Sequence, residues 1–259
     1  SATEVLPPPP PPPTTLTGHV MLNAAVKNAV VCLDLNSNGA CDASEPASAK
    51  TGADGAYTVT LDQGFDVERL KGLSLVALQV PGSVDDGKAT IDAADPTKPS
   101  TQKPYVLRQA PGKAGQINPL TSLVAAGVAA GMTEQKSRAN LVAQLGLTGE
   151  AAIDDYQADP SVATTGPVDT ARTAALVVAS ALENGAVLEV GDQNSADTAN
   201  QGPLRSLVYT GAGNFRFFDF EVLPKADGTA GRLLRDRRVS QANSVAVAER
   251  VLYNQAFLT

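Results

Sequence analysis

Asp34, Asn36, Asn38, Gly39 and Glu45 fill the five fixed positions of the pattern D-x-[DN]-x-[DN]-G-x5-E, Asp42 adds an acid at its ninth position, and this run constrains its own shape more tightly than any other stretch of the chain. The spacing brings oxygen atoms from both ends of one turn to a common point. Calcium takes about 6–8 oxygens at roughly 2.3–2.6 Å, and such a loop offers side chains at its first, third, fifth and ninth positions, a backbone carbonyl at the seventh and a bidentate carboxylate at the twelfth. Read onto this chain, the ligands are Asp34, Asn36, Asn38, the carbonyl of Ala40, Asp42 and Glu45, with Gly39 at the sharp turn. The competing reading is an Asn- and Asp-rich turn that holds no metal.

The flanks narrow what an ion can do. Val30–Leu33 is apolar and β-branched and reads as a strand, while Pro46 directly after Glu45 blocks an exiting helix. Without two helices to swing apart, the expected role of calcium is to fix the loop and not to switch it. Cys32 and Cys41 stand on either side of the turn, which favours a disulfide over two buried thiols, and no Cys-x-x-Cys pair suggests redox or zinc chemistry. A disulfide implies an oxidising compartment. The chain opens at Ser1 without Met, as a mature product would after removal of an export signal, so the expected location is extracellular or at the outer-membrane surface, with a lipid anchor upstream of Ser1 compatible with it. No apolar run approaches the roughly 20 residues that cross a bilayer, so no transmembrane segment is expected.

Along the chain, Pro7 to Pro13 are seven consecutive prolines, which favour an extended polyproline II rod, and residues 1–15 read as a spacer. Short strand-like runs follow at Leu16–Leu22, Ala29–Leu35, Ala56–Leu61 and Leu73–Val80, with Asp54-Gly55 as a hairpin signal. Residues 81–104 read as a long polar loop before a last strand at Tyr105–Arg108. Residues 16–110 are thus expected to form a β-sandwich that carries the calcium loop. At Ile117 the period changes: Asn118-Pro119 starts a helix with Leu120, Leu123, Val124, Gly127 and Val128 on one face and Gly131 as its stop. A second helix runs from a Thr133 cap to Gly146, and a third spans about Asp169 to Glu183. Phe215, Phe217 and Val222 alternate with charged residues before a turn and a partner strand at Leu233–Val239, which predicts a hairpin near 213–240. A last helix is expected over Asn243–Phe257, with the natural chain continuing beyond Thr259. The fold class is therefore α+β, with residues 111–259 a mainly helical domain that contains one hairpin. Only 4% of residues are aromatic and none is Trp, so the cores must be built from Ala, Val and Leu.

Gly18-His19-Val20, Asn28 to Asp34, the loop and Thr51 to Tyr57 together resemble the prealbumin-like, Ig-like sandwich repeats of bacterial surface proteins, of the SdrD B-like and carboxypeptidase-regulatory type. The resemblance covers roughly residues 16–80. It implies a calcium loop between strands that stiffens an extracellular rod or stalk. Ile117 to Leu123 followed by Gln144 to Leu147 is similar to the helical segment after such sandwiches in proteobacterial surface lipoproteins.

Catalytic readings find little support. The sole histidine, His19, lies in the first strand, and the acidic pairs Asp85-Asp86 and Asp154-Asp155 read as solvated turns, not as acid and base facing one cleft. Tyr57 and Tyr209 read as core or hairpin residues. Gly211-Ala212-Gly213 lacks the Lys and Ser/Thr of a phosphate loop. Arg232, Arg235, Arg237 and Arg238 divide between two faces of a strand. A net charge of -7 argues against nucleic acid, whose phosphates are held by Lys and Arg. The chain is expected not to be an enzyme, and a calcium-stabilised structural or adhesive surface protein is the first reading. A self-assembling filament subunit is the second, and an accessory domain of a carbohydrate-active or other secreted hydrolase the third. The partners left open are the chain itself and a surface polymer.

Overall fold

The computed structural model describes residues 2–10, 12–145, 147, 149–156 and 170–183, together with the strand segments 187–189, 206–211, 214–224, 230–240 and 246–253. The architecture is α+β, with small antiparallel sheets and helices. Residues 2–10 are exposed and carry no regular secondary structure.

β1 (Thr15–His19) pairs antiparallel with β4 (Ala56–Thr60), placing Leu16 opposite Val59 and Gly18 opposite Tyr57. Side chains alternate across a strand, so β4 buries Tyr57 and Val59 and leaves Thr58 and Thr60 outside. A second sheet, ordered β3-β5-β7, combines Val31–Asp34, Ser74–Gln79 and Tyr105–Arg108. Both sheets supply one apolar cluster: Tyr57 and Val59 from the first meet Val31, Leu33, Leu75, Ala77 and Leu107 from the second. Gly18 is required where segment 115–117 crosses β1, because a Cβ there would stand 1.9 Å from the carbonyl oxygen of Gly115.

Helix α1 (Pro119–Ala129) begins where expected. The buried Asn118 side chain accepts the N–H groups of Leu120 and Thr121 at 2.7 and 2.9 Å, and the Thr121 hydroxyl accepts the Asn118 N–H at 3.0 Å, a reciprocal cap. The same asparagine donates to the Ile153 carbonyl at 2.8 Å and so ties α1 to α3 (Ala151–Asp154), a short helix that the sequence pattern did not reveal. Gly131 adopts φ +103° past the end of α1. Helices α2 (Glu134–Leu145) and α4 (Thr170–Glu183) complete a second cluster in which Leu120, Leu123 and Val124 meet Leu141, Ile153, Tyr156, Ala174, Ala175 and Val178. The clusters draw on both halves of this region, with Met21 packed among the helices and Ile117 and Ala179 among the strands.

Several expectations are corrected. Asp54-Gly55 makes a turn with φ +73° at Gly55, but β4 pairs with β1 and not with the strand before the turn, because register Leu16 to Val59 unites two apolar faces. Residues 81–104 are not all loop: β6 (Ile91–Asp92) pairs with β2 (Val26–Lys27), a ladder too short to leave a periodic signal. The hairpin of β10 (Asn214–Pro224) and β11 (Ala230–Ser240) is present with Phe220 opposite Leu234. It is the middle of a five-stranded sheet ordered β12-β11-β10-β9-β8, with β8 at Val187–Glu189 and β9 at Ser206–Gly211. The helix expected over Asn243–Phe257 is a strand where described, β12 (Ala246–Tyr253). Its sequence fits either period, and backbone pairing along the edge of β11 decides, in a register that runs from Leu234 opposite Tyr253 to Val239 opposite Ala246. Gly146, Asn184-Gly185 and the turn of the hairpin lie outside the described residues.

Candidate metal centre

β3 delivers Asp34 to the start of the loop in a buried position, and the chain returns beside it: Leu33 N–H donates to the Pro46 carbonyl at 2.9 Å and Ser48 N–H to the Val31 carbonyl at 2.7 Å. The loop is therefore a closed excursion from one strand. Cys32 on β3 and Cys41 in the loop form a disulfide with a Cα separation of 5.7 Å, as their spacing predicted.

Within this closure every carboxylate is held by the loop itself. Asp34 accepts the N–H groups of Asn38 and Gly39 at 3.2 and 2.9 Å. Glu45 accepts those of Asp42 and Leu35 at 2.7 and 2.5 Å, bringing the end of the loop against its beginning. Asp42 accepts both side-chain amides, Asn36 and Asn38, on one oxygen at 2.8 Å. The Asn38 side-chain oxygen accepts Ala40 N–H at 3.0 Å, and the Ala40 carbonyl lies 3.8 Å from Cys32 Sγ. Asp34 and Glu45 are 2% and 7% exposed, whereas Asn36 and Asn38 lie on the outer rim. The turn demands left-handed backbone at Ser37 (φ +57°) and Gly39 (φ +72°). A Cβ on Gly39 would also stand 2.5 Å from Arg108 Nη2, so a guanidinium from β7 rests against the loop.

Asp34, Asn36, Asn38, Ala40, Asp42 and Glu45 thus belong to one compact turn with an all-oxygen donor set, which suits calcium or magnesium and not a thiolate- or imidazole-seeking metal. Among the described residues no three His, Cys, Asp or Glu side chains converge as they would around a bound ion. The carboxylates are instead engaged by backbone N–H groups and by the two asparagines, which turn their nitrogens, not their oxygens, towards Asp42. A cation in this loop requires both amides to rotate, since only the amide oxygen can ligate.

Other residues singled out from the sequence do not assemble into a site. His19 is exposed on β1, and Asp85 and Asp86 lie in an exposed turn. The Tyr57 hydroxyl donates to the Gly115 carbonyl at 2.6 Å, and burial raises its pKa well above the ordinary value. Asp155 accepts the side-chain amide of Gln116 at 3.3 Å. Tyr209 lies on β9 opposite Arg216; on β11, Arg235 stands opposite Asp219 and Arg238 opposite Arg216.

A polar cleft of about 630 Å³, lined by Gln109, Lys113, Glu134, Arg138, Glu150 and Asp154, was not legible in the sequence beyond the Glu134–Arg138 helical spacing. Arg138 binds Asp154 with two nitrogens, at 2.8 and 2.6 Å, and Glu150 at 3.1 Å, clamping α2 to α3. Asp92 was equally hidden: its partly buried carboxylate accepts the N–H groups of Asn23, Ala24 and Ala94. Burial raises its pKa against the opposing pull of those bonds. Among the described residues no helix is long and apolar enough to cross a membrane. No family model matches this chain, and neither a curated protein nor a solved structure does so.

Proposed function

We propose that this chain is a calcium-stabilised structural module of an exported bacterial surface protein, with a scaffolding or adhesive role and no catalysis of its own. The observation that carries the reading is the loop Asp34 to Glu45. It satisfies every fixed position of a calcium pattern, and its two ends are already held together by Glu45, by the return of Pro46–Ser48 along β3 and by the Cys32–Cys41 bond. Such a loop needs only its side chains to turn for an ion to enter. Calcium would be held by Asp34, Asn36, Asn38, the Ala40 carbonyl, Asp42 and Glu45, and it would supply the positive charge that the three carboxylates otherwise draw from amide donors.

Two further observations support the setting. The disulfide suits an oxidising, extracellular or outer-membrane-surface location. The two sheets that share one apolar cluster suit a prealbumin-type sandwich of the SdrD B-like kind, with the loop between its strands. The structural role is supported by the fates of the other polar candidates: Asp154 is tied to Arg138, and Tyr57 to a backbone carbonyl.

Isothermal titration of the full chain with calcium tests the reading directly. Saturable binding with one site, lost in Glu45→Gln, is expected. Absence of binding at millimolar calcium would leave the loop an Asx-rich turn.

A further inference from the structure

The outer edge of β7 is half covered. Gln109 N–H donates to the Leu75 carbonyl at 3.0 Å, so Arg108, next along the strand, turns its backbone away from β5. There α1 satisfies it: Arg108 N–H donates to the Ser122 hydroxyl at 2.9 Å and its carbonyl accepts the Thr121 hydroxyl at 2.7 Å. Two residues earlier, Val106 faces the same outer side, and neither its N–H nor its carbonyl has a partner among the described residues. This open pair of backbone groups lies in a groove of about 350 Å³ whose walls include Ala125, Ala126 and Ala129 of α1, Leu182 of α4 and Tyr105. Small side chains on the helix leave the space. Arg108 stands at the groove, exposed and without a carboxylate partner among the described residues.

The chain carries a segment of matching character. Val5 and Leu6 are 90% and 78% exposed, two of the three large hydrophobic residues left outside among the described ones, and Glu4 precedes them. The prolines from Pro7 onward have no N–H to give to a ladder, so strand pairing from this segment must end at Leu6. They also favour a rod of about 3.1 Å per residue, roughly 22 Å for seven, which holds the Val5–Leu6 pair away from the fold that it precedes.

We propose that residues 2–6 of one copy dock on the outer edge of β7 in a second copy. The segment exchanges backbone hydrogen bonds with Val106, buries the Val5–Leu6 pair in the alanine-walled groove and places Glu4 near Arg108. This is strand addition, in which backbone bonds hold the segment and the groove selects its side chains. The contact is head to tail, so repeated docking yields an open chain of copies, or a ring where the rotation closes. The inference rests on the structural reading above for its purpose, but none of the six residues that would hold calcium takes part in the contact, which nears the loop only through Arg108.

Two full-length chains, one with Leu6→Cys and one with Ala129→Cys, test it when mixed and oxidised with the native disulfide intact. A cross-link joining the two different chains is expected, in excess of either symmetric product. Sedimentation of the unaltered protein should show mass rising with concentration, and Leu6→Asp should weaken that association at least about tenfold, a loss near 1.4 kcal/mol. Because Leu6 is exposed within one copy, the melting temperature of Leu6→Asp should equal that of the unaltered protein at a concentration where the latter is monomeric. A protein that stays monomeric, association that Leu6→Asp leaves intact, cross-links only between identical chains, or a doubly substituted chain that links solely within itself would overturn the proposal. Calcium-dependent melting, read on the same samples, fails or holds separately.

Discussion

Two places in this molecule hold three acidic residues in one neighbourhood, although in neither do the carboxylates converge on a point, and the two answer that charge differently. At the helical cluster, Glu134, Glu150 and Asp154 surround Arg138, whose side chain is only 16% exposed, with Asp154 bound through two nitrogens. The charges are answered inside the fold. In the loop, Asp34, Asp42 and Glu45 have no cationic partner within salt-bridge distance among the described residues and rely on backbone N–H groups and two amides. Dipoles offset a carboxylate less fully than a full charge does. The contrast says where an added cation has work to do: at the loop, and not at the helical cluster.

The largest expected effect therefore comes from calcium itself. A ligand that binds only the folded state adds RT ln(1 + [L]/Kd), about 2.7 kcal/mol at a hundred times Kd. Calorimetry should show chelation lowering the melting temperature, with Glu45→Gln already low and insensitive to chelator. Equal curves for all three samples would erase the distinction between the two acidic groups. Opening the disulfide by replacing Cys32 and Cys41 with Ser should cost about 2–3 kcal/mol in the chain-entropy account, for a closed loop with a separation of 9. Urea unfolding measures this, and a higher calcium Kd should accompany it, because the bond holds the loop to β3.

At the helical cluster, Arg138→Ala should cost about 1–2 kcal/mol, less than removal of a fully buried partner, because the Glu150 and Asp154 side chains are 49% and 56% exposed. Urea unfolding of the variant with and without calcium sharpens the contrast: its loss should be the same in both, whereas that of Glu45→Gln should shrink in chelator to the cost of the one backbone N–H that Gln can no longer accept. The smallest effect belongs to Ser37→Ala. Ser37 is exposed and supplies no ligand, so stability and calcium affinity should both stay within about 0.5 kcal/mol.

Much of this contrast was half visible in the residues. The loop pattern names its own acids, and the cysteine spacing names the staple, because both are contained in one short run. For the helical cluster only Glu134 and Arg138 share a helix face; Glu150 and Asp154 come from another element, and no spacing rule connects them. The groove at β7 was invisible for the same reason, since it needs a strand edge, a helix of alanines and the end of α4 at once.

What the sequence by itself determined is local. Asn118-Pro119 starts α1 because its side chain and its neighbour's fixed φ satisfy orphan amides a few atoms away, and Gly39 turns the loop because it alone has no Cβ to meet Arg108. Only the tertiary structure decided that residues 246–253 run as a strand. Their apolar positions suit a helix face nearly as well, and local preferences differ by less than the hydrogen bonds that the edge of β11 offers. It likewise decided which acids meet a guanidinium and which do not, since Coulomb energy follows distance in space and the chain brings Arg138 to Asp154 across 16 positions.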